Sequence, residues 1–209
     1  MAATGARLLA LAFDPDVQPA DDPMSERILD GALELAAASG LRHLTMDDVA
    51  RRAQVGRMTV YRRFGSHAKL VEALAVRECR RCLERIGAAL DPGAPMDERL
   101  AALFTATLEV IREHPLLERL ARVEPEALLR ELSRDGSEVF ALVHGFLAGL
   151  IRQGQAAGEL RPGDADLLAE LGLRLGASFV LMPSSVLARG DERATREAVR
   201  TILAPLTLS

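Results

Sequence analysis

Arg57, Arg62 and Arg63 stand within seven residues, on the stretch GRMTVYRRF (Gly56–Phe64), in a chain whose formal net charge is −4. Guanidinium groups at this density serve either the chain's own carboxylates or the phosphates and guanine edges of a nucleic acid. An arginine in the first turn of a helix opposes the helix dipole, so local stability does not account for Arg57. A phosphate backbone does. The charge distribution agrees: residues 24–90 hold 12 Lys+Arg against 8 Asp+Glu, and the rest of the chain is acidic. A basic module joined to an acidic one points to a polyanion that meets only the first.

Elsewhere the reactive side chains do not converge. Cys79 and Cys82 are the two cysteines. They lie three apart inside a helical stretch, with no βαβ pattern and no second ligand pair, so they read as helix residues rather than as a redox or metal site. His43, His114 and the carboxylates make no metal spacing. His144, close to Val143 and Phe146, reads either as a hydrogen-bonded core histidine or as a ligand contact. No Gly-rich phosphate loop, Gly-x-Ser-x-Gly or paired-His motif occurs, so neither an enzyme nor a bound cofactor or metal is predicted.

The elements that must position the arginines are helices. Apolar residues make up 49% of the 209 residues and aromatics only 3%, and apolar spacing is helical nearly everywhere, so the fold class is all-α. Ile28, Leu29, Ala32, Leu35 and Ala36 mark a first helix that stops at Gly40. Thr45, with Asp48 three residues on, caps a second through Ala53. Gln54 and Val55 form a tight turn, a third helix runs from Gly56 to Phe64, and Gly65-Ser66 opens a long fourth to about Leu90. Asp91–Pro95 (DPGAP) is the clearest linker. Further helices are placed at Asp97–Glu113, Glu126–Ser133, Ser137–Ala157, Asp164–Met182 and Glu192–Leu203, with Pro115, Pro125, Pro162 and Pro183 as breaks. The apolar runs Leu8–Phe13 and Gly176–Ala188 are too short for a secretory core and a membrane span, so a cytoplasmic protein without membrane contact is expected.

Val49, Ala53, Val55, Val60 and Phe64 are spaced to fill the core of two short helices crossing at a tight turn, with Ala50 allowing close approach. This is the pattern of a helix-turn-helix. It leaves Arg57, Met58, Thr59, Tyr61, Arg62 and Arg63 outside. Over residues 24–75 the sequence AAASGLRHLTMDDVARRAQVGRMTVYRRFGSHAKLVEAL resembles the DNA-binding domain of the tetracycline-repressor (TetR) family: a threonine before helix 2, Thr-x-Tyr in helix 3, Phe-Gly-Ser opening helix 4. The resemblance implies a homodimer on a palindromic double-stranded DNA operator, released by a small-molecule inducer. It divides the chain into an arm (1–23), a DNA-binding domain (24–75) and a ligand-binding and dimerisation domain (76–209). Carried over position by position, Thr45 and Tyr61 bind phosphate, Arg57, Met58 and Arg62 face base edges, Thr59 lies between these classes, and Gly56 opens the reading helix. Gln54 stands where the family often has glycine, Arg63 where histidine is frequent, and His67 where a phosphate-binding lysine is common, with Lys69 two residues on; either His67 or Lys69 reaches phosphate. An alternative is a helical interaction module that has lost operator binding.

In the second domain, Ser137–Gln153 carries Phe140, Val143, Leu147 and Leu150 on one stripe and Ala141, Gly145 and Gly149 on another, and both are expected to be buried. Asp164–Met182 carries Leu168, Leu171 and Leu175 opposite Ala169, Gly172 and Gly176, as at a bundle seam. The dimer interface is placed on Asp164–Met182 and Glu192–Leu203, with Gly176 inside it. Glu170 and Arg174, four apart, are spaced to pair. Surplus apolar positions predict a cavity walled by Phe104, Leu108, Phe140, Val143, His144, Leu147, Leu175 and Phe179, for an aliphatic inducer with His144 or Arg174 at its polar end.

Overall fold

Asp22 begins the first helix, its Oδ1 accepting from the backbone N–H groups of Met24 (3.1 Å) and Ser25 (3.2 Å). The computed structural model describes residues 22–123, 125–126, 138–182 and 192–203. Helix α1 (Pro23–Ser39) has proline in its first turn, where no intrahelical donor is lost. Gly40 ends it at φ 89°, donating its N–H to the Ala36 carbonyl. A short 3₁₀ turn (Leu41–His43) leads to α2 (Met46–Arg52), and then come α3 (Arg57–Phe64) and α4 (His67–Ala88). After the linker follow α5 (Met96–Glu113), α6 (Pro115–Val123), α7 (Glu138–Ala156), α8 (Ala165–Leu181) and α9 (Glu192–Leu203). Among the described residues there is no strand ladder, as the all-α reading requires.

The first core joins Ile28, Leu29, Ala32 and Ala36 of α1 to Val49 and Ala50 of α2, Val60 and Phe64 of α3, and Leu70 and Leu74 of α4. Close approach is built in at Gly31, where a Cβ would lie 3.2 Å from the Ala53 backbone nitrogen. The turn between α2 and α3 puts Gln54 in the left-handed region at φ 55°, a conformation that costs a side-chain-bearing residue about 1–2 kcal/mol. Arg27 of α1 offsets part of this by donating to the carbonyls of Ala53 (3.0 Å) and Gln54 (3.4 Å). The angle between α2 and α3 is therefore held from outside the pair as well as by its own apolar contacts.

The second core packs Met96 and Leu100 of α5 against Ala148 and Ile151 of α7, Leu160, and Ala165 and Ala169 of α8. Helices α7 and α8 meet closely where a Cβ on Gly172 would lie 3.3 Å from Leu147 Cδ2. Helix α9 lies along α5, with Arg200 pairing Glu98 at 3.2 Å. Helix α6 belongs to both halves: its Leu116 is buried in the first core and Leu120 packs against it, while Arg119 donates to the Ala38 carbonyl at the end of α1.

Several expectations for this half are corrected. Pro115 does not merely break the chain but starts α6, because a proline in the first turn forfeits no helical bond. The Ala141, Gly145 and Gly149 stripe of α7 is exposed rather than buried; the inner face is Phe140, Ala148, Ile151 and Gly154. Gly176 is half-buried, and a Cβ there would lie 3.6 Å from Phe104 Cε2 of α5. On α9 the exposed side chains among the described residues are Arg193, Arg196, Glu197, Arg200 and Thr201; those of Glu192, Ile202 and Leu203 lie outside the description. The expected helix Glu126–Ser133 lies, apart from its first residue, outside the described residues, as does the arm before Asp22.

Candidate nucleic-acid interface

Burial of Val60 and Phe64 turns the opposite face of α3 outward. There Arg57, Met58 and Arg62 are exposed, and Thr59 and Tyr61 are half-buried beside them. Met58 is 77% exposed, an apolar side chain left in water on this face. Gly56 caps α3 in an extended conformation with no side-chain acceptor, so the first N–H groups of the helix are open on this face. Arg57 Nε lies 2.9 Å from Asp47 Oδ1, and its guanidinium covers the Tyr61 ring at 5.3 Å. The Tyr61 hydroxyl, followed by Asp47, holds the Arg57 pKa above its ordinary value. Arg62 makes no side-chain hydrogen bond or ion pair with the described residues, so its five donors are available.

The remaining residues of the set divide. Arg63 is turned away, donating to Asp22 and to Ser25 Oγ (2.8 Å), and so ties the end of α3 to the cap of α1. Thr45 donates its hydroxyl proton to Asp48 Oδ2 at 2.6 Å while accepting from the Asp48 N–H at 3.1 Å. That hydroxyl, with Arg51, lowers the Asp48 pKa. His67 and Lys69 are exposed in the first turn of α4, whose cap Ser66 accepts from the Lys69 N–H at 3.3 Å. The described surface thus brings together Thr45, Gly56, Arg57, Met58, Thr59, Tyr61, Arg62, His67 and Lys69, and commits Arg63 elsewhere.

In the second half, α5, α6 and α8 enclose a cavity of about 270 Å³, open on one side and lined by Ile111, Arg112, Glu118, Ala121, Arg122, Pro125, Phe179, Val180 and Leu181. Of the eight residues expected as its walls, only Phe179 lines it; Phe104 backs that ring edge-on at 6.0 Å. Leu108 and Phe140 are buried in side-chain packing, Leu147 fills the Gly172 seam, Leu175 is half-buried, and Val143 is exposed. His144 stacks on Phe140 and its Nε2 lies 2.9 Å from the Asp166 carbonyl. Arg174 pairs with Glu170 on the surface at 2.7 Å, as its spacing predicts. Both groups expected at an inducer's polar end are thus engaged away from the cavity. The walls on α6 escape a sequence reading that treats Pro115 and Pro125 only as breaks.

Residues 28–74 match the family described as bacterial regulatory proteins, tetR family. The HTH-type transcriptional regulator AlkX of Mycobacterium tuberculosis is 26% identical over 162 residues, 77% of this chain and 76% of that protein. Residues 28–74 thus carry the tetR-family DNA-binding region, and the similarity to a helix-turn-helix regulator extends over three quarters of the chain. The protein is a DNA-binding transcriptional regulator of the helix-turn-helix type. Two solved structures share the tetR fold. A regulatory protein from Rhodococcus RHA1 has a TM-score of 0.65 at 21% identity, covering 90% of this chain and 99% of that one. The fatty acid degradation regulator FadR from Bacillus halodurans has a TM-score of 0.66 at 19% identity, covering 88% and 95%. No helix among the described residues of this chain is long and apolar enough to cross a membrane.

One buried polar cluster connects the two halves of the chain. Arg77 Nε donates to Glu78 Oε1 at 2.7 Å, and Glu78 Oε2 lies 2.9 Å from Nε2 of His114, at the junction of α5 and α6. Arg77 Nη1 reaches across to Asp30 (2.9 Å) and Glu26 (3.1 Å) of α1. The partners lie 36 to 51 residues apart in sequence, beyond the reach of any spacing argument. Cys79 and Cys82, on the same helix, are free thiols, and burial pushes both up, Cys82 to about 11, which suits inert helix residues rather than a redox pair.

Proposed function

We propose that this regulator is a repressor that binds a two-fold palindromic operator as a homodimer and leaves it when a small, mostly apolar inducer fills the cavity between α5, α6 and α8. The observation that carries the operator reading is the outer face of α3, where Arg62 is unengaged by the described residues and Met58 is solvated on a helix whose Val60 and Phe64 are packed inside. In this reading Arg57, Met58 and Arg62 meet base edges, and Tyr61, Thr45, the N–H groups at Gly56 and the first turn of α4 hold phosphates. Thr59 serves either class. Arg63 is assigned to the α1 cap. Residues 24–75 form the operator module, and the helices beyond form the effector and dimer module.

One reading helix contacts too few base pairs for genomic specificity, so a second copy is required at a fixed spacing. We place the shared surface on α7 and α8, where Phe146, Leu167 and Leu171 are each 54% exposed beside Val143 and the open Ala141, Gly145 and Gly149 stripe. Small residues let the paired helices approach and the large ones supply buried area. Release then follows from α6, which walls the cavity through Ala121 and Arg122 and is seated on α1 through Leu116. An inducer that moves α6 acts on the reading head only through its differential affinity for the two arrangements. The test is selection of DNA fragments by the purified protein, followed by titration of Arg62→Ala. The selected fragments should share an inverted repeat, and the variant should lose about 1–3 kcal/mol on it with relaxed sequence preference. Selection without an inverted repeat, or wild-type affinity in the variant, overturns the reading.

A further inference from the structure

The cavity is not uniformly apolar. Ile111, Ala121, Pro125, Val180 and Leu181 give it aliphatic walls, with Phe179 beside them. Two guanidinium groups and one carboxylate complete the lining. Arg122 Nε and Glu118 Oε1 lie 3.3 Å apart, so these two charges offset each other. Arg112 has no such partner: its side chain makes no hydrogen bond or ion pair with the described residues, and its Nε is buried and unsatisfied. A buried N–H without an acceptor costs about 1–3 kcal/mol, and a native protein retains such a group where something else satisfies it.

From this we infer that the cavity takes a monoanionic amphiphile, a carboxylate with a short aliphatic tail, whose head group accepts from the Arg112 guanidinium. The inference rests on the reading of this cavity as the effector site. One uncompensated cation calls for one negative charge; a dianion would leave a surplus charge against aliphatic walls. The planar fork of arginine matches the two oxygens of a carboxylate. The remaining lining has no second unpaired polar group, so the rest of the molecule is apolar. At about 270 Å³ the space lies just below the usual range of small-molecule sites, roughly 300–1,000 Å³, which favours a tail of medium length over a polycyclic body. The head group would bind α5 and the tail would lie against α6 and α8, so the ligand bridges the elements whose relative position is proposed to set the reading head.

The experiment is direct calorimetric titration of the DNA-free protein with decanoate, 1-decanol and decyltrimethylammonium, for wild type, Arg112→Gln and Arg112→Lys. Wild type should prefer decanoate over decanol by on the order of 10- to 100-fold, the size of one charge-assisted hydrogen-bonded contact. Arg112→Gln should remove that preference while keeping the affinity for decanol, and Arg112→Lys should retain part of it. Because decanol reports the intact cavity, a variant that simply unfolds is recognised by loss of both ligands, and Arg112→Lys then carries the test. Equal binding of decanoate and decanol, an undiminished preference in Arg112→Gln, or no binding of any probe overturns the inference. A separate titration of decanoate into the protein–operator complex isolates the underlying reading: Arg112-dependent binding that leaves operator affinity unchanged upholds the inference and sinks the inducer role.

Discussion

Replacing Glu78 with glutamine removes one charge from the place where α1, α4 and the end of α5 meet. The side chains of Arg77 and Glu78 are 3% and 8% exposed, and that of His114 is 8% exposed, so the change falls in a region of low dielectric. Glutamine keeps the shape and can still accept from Arg77 Nε, but its amide N–H would face the N–H of His114, whose Nε2 donates to the carboxylate while Nδ1 accepts from the Leu117 N–H at 3.4 Å. What is lost is that bond and the buried counter-ion of Arg77. Breaking a buried pair costs about 3–5 kcal/mol, but Asp30 and Glu26 remain within 3.1 Å of Arg77 Nη1 and are partly solvated, so a loss of about 2–3 kcal/mol is expected near neutral pH. Burial alone would raise the Glu78 pKa; the hydrogen bond with His114 and the charge of Arg77 outweigh it and hold the carboxyl below its ordinary value. A carboxyl depressed in the folded state stabilises fully above its unfolded pKa, and that stabilisation disappears as the pH falls through the folded value. The gap between wild type and Glu78→Gln, read from urea midpoints across a pH series, should therefore be full at neutral pH and shrink through the carboxylate range. An unchanged midpoint at neutral pH, or a gap that persists undiminished to the acid end, would refute the reasoning.

Three further outcomes follow from particular contacts. Gln54→Gly relieves the left-handed strain at φ 55° but frees the unfolded chain, so a net gain of about 0.5–1 kcal/mol is expected in urea unfolding; destabilisation would show that the Gln54 side chain supplies more than the strain costs. Phe146→Glu on the exposed face of α7 should yield monomers by light scattering with helical content unchanged, whereas an intact dimer would move the interface off α7 and α8. Lys69 is the chain's one lysine, so amine-reactive labelling reports on a single side chain besides the terminus; operator should protect it from modification, and equal labelling with and without DNA would remove Lys69 from the contact surface.

What was legible in the sequence had partners within about four residues. Gly40, Thr45 with Asp48, Gly65 and Ser66 each bound a helix through contacts to the adjacent turn, which is why the end of α1, both ends of α2 and α3, and the start of α4 could be drawn almost to the residue. The tight turn at Gln54 and Val55 was legible too, while its left-handed backbone at φ 55° emerges only in the structure. The outward set on α3 could be found by elimination once Val60 and Phe64 were placed inside, yet the direction of each arginine could not, since Arg63 is captured by Asp22 from 41 residues away.

The second half resists the same treatment for a physical reason. A helix with apolar residues on two sides, such as α7, does not record which side faces its own core and which faces a partner; only the packing of Ala148 and Ile151 against Met96 and Leu100 decides that. Proline is similarly ambiguous, ending one helix and starting the next, and the cavity's α6 wall hides behind that ambiguity at Pro115. Arg112 is plain in the sequence as one arginine among many. Its meaning comes from having no acceptor, and that is a property of the surroundings of α5, α6 and α8 together. In this regulator the reading head is specified by local rules, and the parts proposed to sense and transmit, namely the Arg112 cavity, the α6 seat on α1 and the Arg77–Glu78–His114 cluster, consist of contacts between helices distant in sequence. Substitutions at those positions should therefore change the coupling between ligand and operator while leaving the α3 surface, and with it the operator's sequence, unaltered.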